Sequence, residues 1–339
     1  MCRPCAPPTT RTHRSAFPLF QTEPILFLQS LASDWLTALM SAVTRAAYPD
    51  VLGALVLVVA FGVNYRAGLI LGQAVLWTEL VTGLLKELAA LPRPSDVDSR
   101  VGTMLGGVPN GAPFTAAGGK GFFDLPDPRA TAAVRLTPNA SFGFPSSAVS
   151  TATAFWGGTA LAFRSSRLLA MSGAIITVTA LSRLYLGRHF IADVAGGMVL
   201  GGAVLGSLRR SAVKPMWYFR SPLWPPVLAL LPLVALLVLP HIDPGSAGGL
   251  SGLYVARILT DGRRLPADRA RLWQRIARVG IAIALYVAVA ASVGLLLRTV
   301  AIDADPAMAE YLGTAVTVFT VFWGGVRVSE LLHLYRRLA

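Results

Sequence analysis

Long apolar stretches recur along this sequence of 339 residues and restrict the folds that it can adopt. A transmembrane helix needs about 20 mostly apolar residues, because each residue adds 1.5 Å and the hydrocarbon core is about 30 Å thick. Eight stretches are candidates for such helices: 51–64, 67–91, 146–163, 168–185, 190–208, 224–239, 276–297 and 308–332. Two more are less regular, since 24–48 carries charged residues and 246–260 is short and Gly-rich. The sequence therefore predicts an all-α fold, a polytopic bundle of membrane helices.

The composition agrees with lipid as the surrounding solvent. Hydrophobic residues make up 54% of the chain and charged residues 14%, whereas soluble domains carry about 25% charged residues. The net charge of +13 would suggest nucleic acid as the partner of a soluble protein. Here the cations lie mostly between the apolar stretches, so we expect a lipid bilayer as the partner and no nucleic acid.

The cations between the stretches indicate how the chain is oriented. When the stretches are counted as alternating crossings, one side collects basic residues with no acidic residue among them: Arg66, Arg164, Arg167, Arg209, Arg210, Lys214 and Arg220. The positive-inside rule makes this side cytoplasmic, and basic residues near both termini favour about ten crossings with both termini inside. The opposite side carries one long Gly- and Pro-rich connection, 93–144, which we interpret as a lid or mouth over a site.

Polar residues at the outer ends of several stretches suit an anionic ligand. Lys86 and Arg93 are two helical turns apart, so both can reach one pocket from the same helix. Arg183 adds a planar guanidinium that matches phosphate oxygens. Ser146 and Ser147 follow a proline at a helix start, where free backbone N–H groups bind anions. Each cation taken alone is better explained as reaching for the lipid headgroups, but their convergence on one face favours a shared pocket.

His189 and Asp193 stand one helical turn apart on the same outer side. At this spacing the carboxylate can hold one imidazole nitrogen and direct the other at a substrate. An interfacial pair and a pair of metal ligands are the alternatives. The metal interpretation is weak, because a structural site needs four ligands and His241 is the one other histidine on this side. We therefore expect no metal and no other cofactor.

Two short motifs occur in the order and spacing of a known family: Lys86 with Arg93-Pro94, and Ser182-Arg183 with His189 and Asp193. In these motifs the chain resembles the type 2 phosphatidic acid phosphatase superfamily, which also contains the vanadium haloperoxidases and glucose-6-phosphatase. The resemblance covers about residues 24–208 and implies a six-helix core. The helices that follow look like the extra C-terminal helices of some members. The apolar stretches argue against the soluble haloperoxidases.

The resemblance also implies a reaction and a role for each residue. His189 would attack phosphorus and form a phosphohistidine, which water would then hydrolyse, and Asp193 would orient His189. The phosphoryl charge would be stabilised by Lys86, Arg93, Arg183, Ser146 and the backbone around Ser147. These roles agree with the demands of phosphoryl transfer, which needs mainly positioning and charge stabilisation from a protein.

Ala148 departs from the family pattern, in which this position is a histidine that acts as general acid. A general acid is typically worth about 10²- to 10⁴-fold in rate. Three interpretations remain open. The leaving group is a phosphate that departs without a proton, as in a polyprenyl-type diphosphate; the alanine is an engineered or impairing change; or the protein binds lipid phosphates without turnover. A substitute acid such as His241 is a further option.

From these observations we predict three regions: a polar N-terminal segment at 1–23, a phosphatase-like core at 24–208 with its outer loop at 93–144, and helices of unassigned role at 209–339. The expected function is that of a metal-independent membrane lipid phosphatase or diphosphatase. Its site would face the periplasm of a bacterial inner membrane or an equivalent outer space. A lipid-to-lipid phosphotransferase and a non-catalytic lipid-phosphate binder or transporter are the alternatives. The sequence indicates neither the lipid's headgroup and chain length nor the oligomeric state.

Overall fold

The structure, a computed structural model, describes residues 19–104, 118–120, 123–138, 140–213, 224–239, 242–261, 270–300 and 305–335. Most of the polar segment 1–23, part of the outer loop 93–144 and His241 lie outside these ranges. The described part of the chain is helical and contains no strand, which confirms the prediction of an all-α polytopic bundle.

Helices of very different lengths follow one another along the described chain. In order they are α1 (Glu23–Ser30), α2 (Asp34–Ala46), α3 (Pro49–Leu57), α4 (Tyr65–Ala89), α5 (Pro94–Val97), α6 (Pro128–Arg135), α7 (Ser147–Ala152), α8 (Gly158–Phe163), α9 (Ser166–Tyr185), α10 (Ile191–Val213), α11 (Trp224–Val238), α12 (Pro244–Asp261), α13 (Leu272–Val300), α14 (Pro306–Phe319) and α15 (Gly325–Leu331). The π-helical segment Val58–Val63 extends α3, Thr153–Gly157 joins α7 to α8, and Thr320–Gly324 joins α14 to α15.

Five of the described helices are long and apolar enough to cross a membrane: Tyr65–Val97, Ser166–Tyr185, Ile191–Leu208, Leu272–Leu296 and Pro306–Leu331. The protein is therefore an integral membrane protein. The irregular stretch 24–48 is not one helix, because the chain breaks between α1 and α2. The pair Asp34–Ala46 and Pro49–Val63 is bent by 56° and adds a sixth crossing if it forms one broken span. The total of about ten crossings stays a prediction.

The helix α4 lies inside the bundle and connects its two halves. Its start is capped by Asn64, whose side chain accepts the backbone N–H of Ala67 at 2.8 Å. From the first turn of α4, the Tyr65 hydroxyl donates to the carbonyl oxygen of Phe322 at 3.0 Å. One buried apolar cluster contains Leu71 of α4 together with Leu253 of α12. The helices after residue 208 therefore share a core with the helices before it.

Two close contacts position the helices that carry the predicted site residues. Gly201 of α10 lies so near α7 that a Cβ there would overlap the carbonyl oxygen of Ser150. The helix α2 is held to α9 by a hydrogen bond between the hydroxyls of Thr44 and Ser182 at 2.8 Å. These contacts fix the start of α7 against α10 and the end of α2 against α9.

We expect the substitution Gly201→Ala to destabilise the protein, because the added methyl group overlaps backbone atoms of α7 that cannot move aside. Overpacking of this kind costs about 1–3 kcal/mol. The matched control is Gly202→Ala, where no atom lies within 4 Å of the new Cβ. Thermal unfolding in detergent should show a lower apparent melting temperature for Gly201→Ala than for Gly202→Ala. Equal melting temperatures for both variants would contradict the close packing of α7 on α10.

Candidate active site

A cavity of about 310 Å³ lies where the end of α2, the ends of α4 and α9 and the start of α7 meet. Its wall is formed by Ala47, Tyr48, Pro49, Glu79, Lys86, Arg93, Ser147, Ala148, Thr151, Arg183 and His189. Six of the eight positions selected from the sequence are in this wall. The other two are Asp193, which lies behind His189, and Ser146, which is fully buried.

The imidazole of His189 is held between an anion and a cation. Its Nδ1 is 3.3 Å from Oδ2 of Asp193, and its Nε2 is 3.2 Å from Nη2 of Arg183. A guanidinium has donors and no acceptor, so Nε2 must accept the hydrogen bond from Arg183. The proton of the neutral ring then resides on Nδ1 and is donated to Asp193. Nε2 therefore presents its lone pair on the side of Arg183.

The surroundings of His189 keep this ring neutral. The side chain is almost completely buried, with 1% of its surface exposed. Burial, followed by the positive charges of Arg183, Arg93 and Lys86, lowers the pKa of His189 well below its ordinary value. A neutral imidazole, in which one ring nitrogen carries a lone pair and no proton, is the form in which histidine acts as a nucleophile.

Asp193 is fixed by contacts from two neighbouring segments. Its Oδ2 accepts the backbone N–H of Phe190 at 2.8 Å in addition to the contact with His189. Its own carbonyl oxygen accepts the N–H of Ser146 at 3.0 Å. Gly143 lies so close that a Cβ there would be 3.0 Å from Oδ2. The first turn of α10 is thus tied to the segment that leads into α7.

Arg183 carries buried N–H groups that suit an anion. Its side chain is 7% exposed, and Nε and Nη1 are buried without a hydrogen-bond partner among the described residues. The same guanidinium contacts His189 through Nη2 and interacts electrostatically with Tyr48. Buried donors are costly unless they are satisfied, so the free N–H groups of Arg183 favour an anion in this cavity.

Lys86 and Arg93 hold the segment before α7 as well as lining the cavity. The Nζ of Lys86 donates to the carbonyl oxygen of Phe142 at 3.0 Å. Arg93 donates to the carbonyl oxygen of Ser141 at 2.9 Å, to its hydroxyl at 2.8 Å and to the carbonyl oxygen of Arg188 at 3.0 Å. An ammonium has three N–H donors and a guanidinium five, so both cations keep donors for a ligand.

The start of α7 differs from the prediction in one detail. Ser146 is the residue before the helix, but its Oγ is buried without a hydrogen-bond partner in the described chain, and its N–H bonds to Asp193. Ser147, the first residue of the helix, is in the cavity wall instead. The first turn of α7, which begins at Ser147, thus faces the cavity. The first backbone N–H groups of a helix have no acceptor within the helix.

Ala148 is in the cavity wall and packs against Ala47 from the end of α2, together with Ala152. The sequence did not single out Ala47 or Tyr48, because their place beside α7 results from the break and bend around α2. Glu79 was also missed, although its distance of seven residues from Lys86 places both on the same face of α4. That spacing is a signal from which Glu79 was predictable.

These features define an integral membrane protein of helices with a buried, cation-lined cavity around one neutral histidine. Residues 67–217 match the family model described as PAP2 superfamily. This match confirms the resemblance to the type 2 phosphatidic acid phosphatase superfamily that the motifs indicate. The superfamily consists generally of phosphatases that act on phosphate esters, commonly those of lipids. No curated protein and no solved structure matches the chain.

The buried neutral imidazole predicts that acid destabilises the fold through His189. Below about pH 6.5 the unfolded chain binds a proton at this histidine that the folded chain does not bind, so stability present above this pH is lost as the pH falls. The loss is at most about 1.4 kcal/mol per pH unit. Apparent melting temperatures in detergent at pH 7.5 and pH 5 (about one and a half units below the ordinary pKa of histidine) should differ less for His189→Gln than for the wild type.

The matched control is His333→Gln, because the side chain of His333 is exposed. We expect this variant to keep the wild-type change between the two pH values. A His189→Gln protein that also keeps it would contradict the burial of a neutral ring.

Proposed function

We propose that the protein is a membrane phosphatase that removes phosphate from a lipid through a phosphohistidine on His189. The observation that carries this proposal is the lone pair of Nε2, which is held beside Arg183 at a cavity lined by three cations. A nucleophile and several phosphate-binding donors are the components that phosphoryl transfer requires. The family match over residues 67–217 supports the same reaction class.

In the proposed first step, Nε2 of His189 attacks phosphorus and the leaving group departs from the opposite side. Arg183 contributes its free Nε and Nη1 donors, and Lys86 and Arg93 contribute the donors that the backbone carbonyls leave unused. Asp193 accepts the hydrogen bond of Nδ1–H and stabilises the positive charge that develops on the ring. Water attacks the phosphohistidine in the second step. No metal is needed in this proposal, because the cations of the chain balance the phosphoryl charge.

The alanine at position 148 supports a diphosphate as the preferred substrate. An alkoxide leaving group must take up a proton as it departs, since water and alcohols are very weak acids. A lipid phosphate as leaving group departs as an anion, since phosphate monoesters ionise near pH 6. We therefore infer that a polyprenyl-type diphosphate is a better substrate than a lipid monophosphate.

The place of the site in the membrane follows from the charge distribution of the sequence. The basic residues between the apolar stretches support an orientation in which the cavity faces the periplasm of a bacterial inner membrane or an equivalent outer space. The lipid substrate would then enter from the outer leaflet. The outer loop 93–144 borders the cavity through Arg93, so we propose that it influences which lipids are accepted.

Phosphate release from the purified wild-type protein should be faster with a polyprenyl diphosphate than with the matching monophosphate. We expect a ratio of kcat/KM of roughly 10²-fold or more, because the missing general acid is worth about 10²- to 10⁴-fold for a poor leaving group. Equal rates, or a preference for the monophosphate, would contradict the diphosphate assignment. If Ala148→His raised turnover strongly on every substrate, the alanine would be an impairing change.

The nucleophile can be trapped directly. Incubation with a labelled lipid diphosphate, followed by quenching in base, should yield an acid-labile phosphoprotein in the wild type and none in His189→Ala. The matched control is His333→Ala, because His333 is exposed and is not in the cavity wall, so its loss should leave the labelling intact. Wild-type protein that binds the lipid but forms neither phosphoprotein nor free phosphate would favour a non-catalytic binder. Transfer of the label to a lipid hydroxyl would identify a phosphotransferase.

A further inference from the structure

Tyr48 brings a hydroxyl to the cavity beside Arg183. It follows the end of α2, lines the cavity and interacts electrostatically with the Arg183 guanidinium. A phenol can donate its O–H proton to a ligand, whereas a guanidinium can supply only N–H donors. The hydroxyl of Thr151, which also lines the cavity, donates to backbone carbonyl oxygens instead: that of Ser147 at 2.8 Å and that of Ala47 at 3.4 Å.

Tyr48 also lies beside the position that the family fills with a histidine. The preceding residue, Ala47, packs against Ala148 and Ala152 of α7. Its carbonyl oxygen accepts a hydrogen bond from Thr151 at 3.4 Å. The end of α2 therefore borders Ala148, and Tyr48, the residue that follows Ala47, lines the same cavity as Ala148.

Tyr48 and the nucleophile line the same cavity as Arg183, in an arrangement that suits an in-line reaction. Nη2 of Arg183 is 3.2 Å from Nε2 of His189, and the same guanidinium interacts electrostatically with Tyr48. The volume of about 310 Å³ leaves room for a phosphoryl group among these side chains. A nucleophile, a phosphoryl group and a donor on the departing oxygen together span about 7 Å. A phosphoryl group bound by Arg183 would thus lie between the two side chains.

We propose that Tyr48 is a catalytic residue that donates its phenolic proton to the departing oxygen, in place of the histidine that Ala148 replaces. This inference depends on the proposed phosphatase activity. In the first step the bond from Nε2 to phosphorus forms, the bond from phosphorus to the leaving oxygen breaks, and that oxygen takes the proton of Tyr48. In the second step water attacks phosphorus and forms a new bond from its oxygen. The bond from Nε2 to phosphorus breaks and its electron pair returns to the imidazole, while one proton of the water passes to the tyrosinate.

If Tyr48 donates this proton, the preference for diphosphates over monophosphates becomes smaller but remains. A phenol is ordinarily a weaker acid than an imidazolium and protonates a departing alkoxide less effectively. Tyr48 therefore restores only part of the rate that the alanine removes for a monophosphate ester. For a diphosphate, whose leaving group departs as an anion, the same hydroxyl supplies a hydrogen bond and its contribution is smaller.

The test compares Tyr48→Phe with the wild type on two monophosphates. One is a lipid alkyl phosphate, whose departing oxygen needs a proton, and the other is 4-nitrophenyl phosphate, whose phenolate leaves without one. We expect Tyr48→Phe to lower kcat/KM on the alkyl phosphate by roughly 10- to 100-fold. The loss on the aryl phosphate should be at least about tenfold smaller, because an acid contributes little to a good leaving group.

Tyr185→Phe is the matched control. This substitution removes a hydroxyl that links α9 to α2, since the hydroxyl of Tyr185 in α9 is 2.7 Å from that of Thr37 in α2. Tyr185 lies outside the cavity wall. We expect its activity on both substrates to stay within about twofold of the wild type, since its hydroxyl touches no reacting group. Inhibition by inorganic phosphate should be equal in wild type and Tyr48→Phe if Arg183 keeps its position.

Two results would overturn the assignment. Equal losses on the alkyl and aryl phosphates, accompanied by weaker inhibition by inorganic phosphate, would show that Tyr48 only positions Arg183. No loss on either substrate would show that the hydroxyl takes no part. In both cases the wild type remains active, so the phosphatase proposal survives. Wild-type protein that turns over neither these esters nor a diphosphate would overturn both proposals together.

Discussion

The hydrogen bond from Arg183 to Nε2 of His189 is the interaction on which the chemistry of this site depends. Because a guanidinium cannot accept, this bond decides which ring nitrogen keeps its lone pair, and it directs the other nitrogen to Asp193. One contact therefore sets the tautomer and the direction of the ring that we propose as the nucleophile. It also places the cation that we propose to bind phosphate beside Nε2.

The bundle brings these groups together although they come from distant parts of the chain. Lys86 lies at the end of α4 and Arg183 at the end of α9, while His189 precedes α10. Ionisable groups buried in a membrane protein are costly, and they persist where they pair with one another or serve a ligand. Close contacts at glycine hold α10 against α7, and a hydrogen bond holds α2 against α9. These contacts stabilise the arrangement of the helices around the buried charged groups.

The sequence predicted those parts of the site that are fixed by local spacing. Lys86 and Arg93 both line the cavity, and His189 contacts Asp193, because each pair is close in the sequence. The prediction that each pair shares one helix was wrong, since α4 ends at Ala89 and α10 begins at Ile191. Ser146 and Ser147 were both predicted to bind phosphate, but Ser147 is in the cavity wall and Ser146 is buried beside it. Tyr48 was not predictable, because its position follows from the 56° bend between α2 and α3. The break within 24–48 was likewise hidden by a mostly apolar composition.

The hydrogen bond from Tyr65 to Phe322 and the apolar cluster around it have a consequence for the boundaries of the phosphatase region. The family match ends at residue 217, yet α4 buries its side chains against helices that come later in the chain. Truncation after the matched segment would remove one wall of this interface and leave Phe61 and Leu71 uncovered. The C-terminal helices thus pack against the helix that carries Lys86, and we expect the region of the family match to depend on them for its stability.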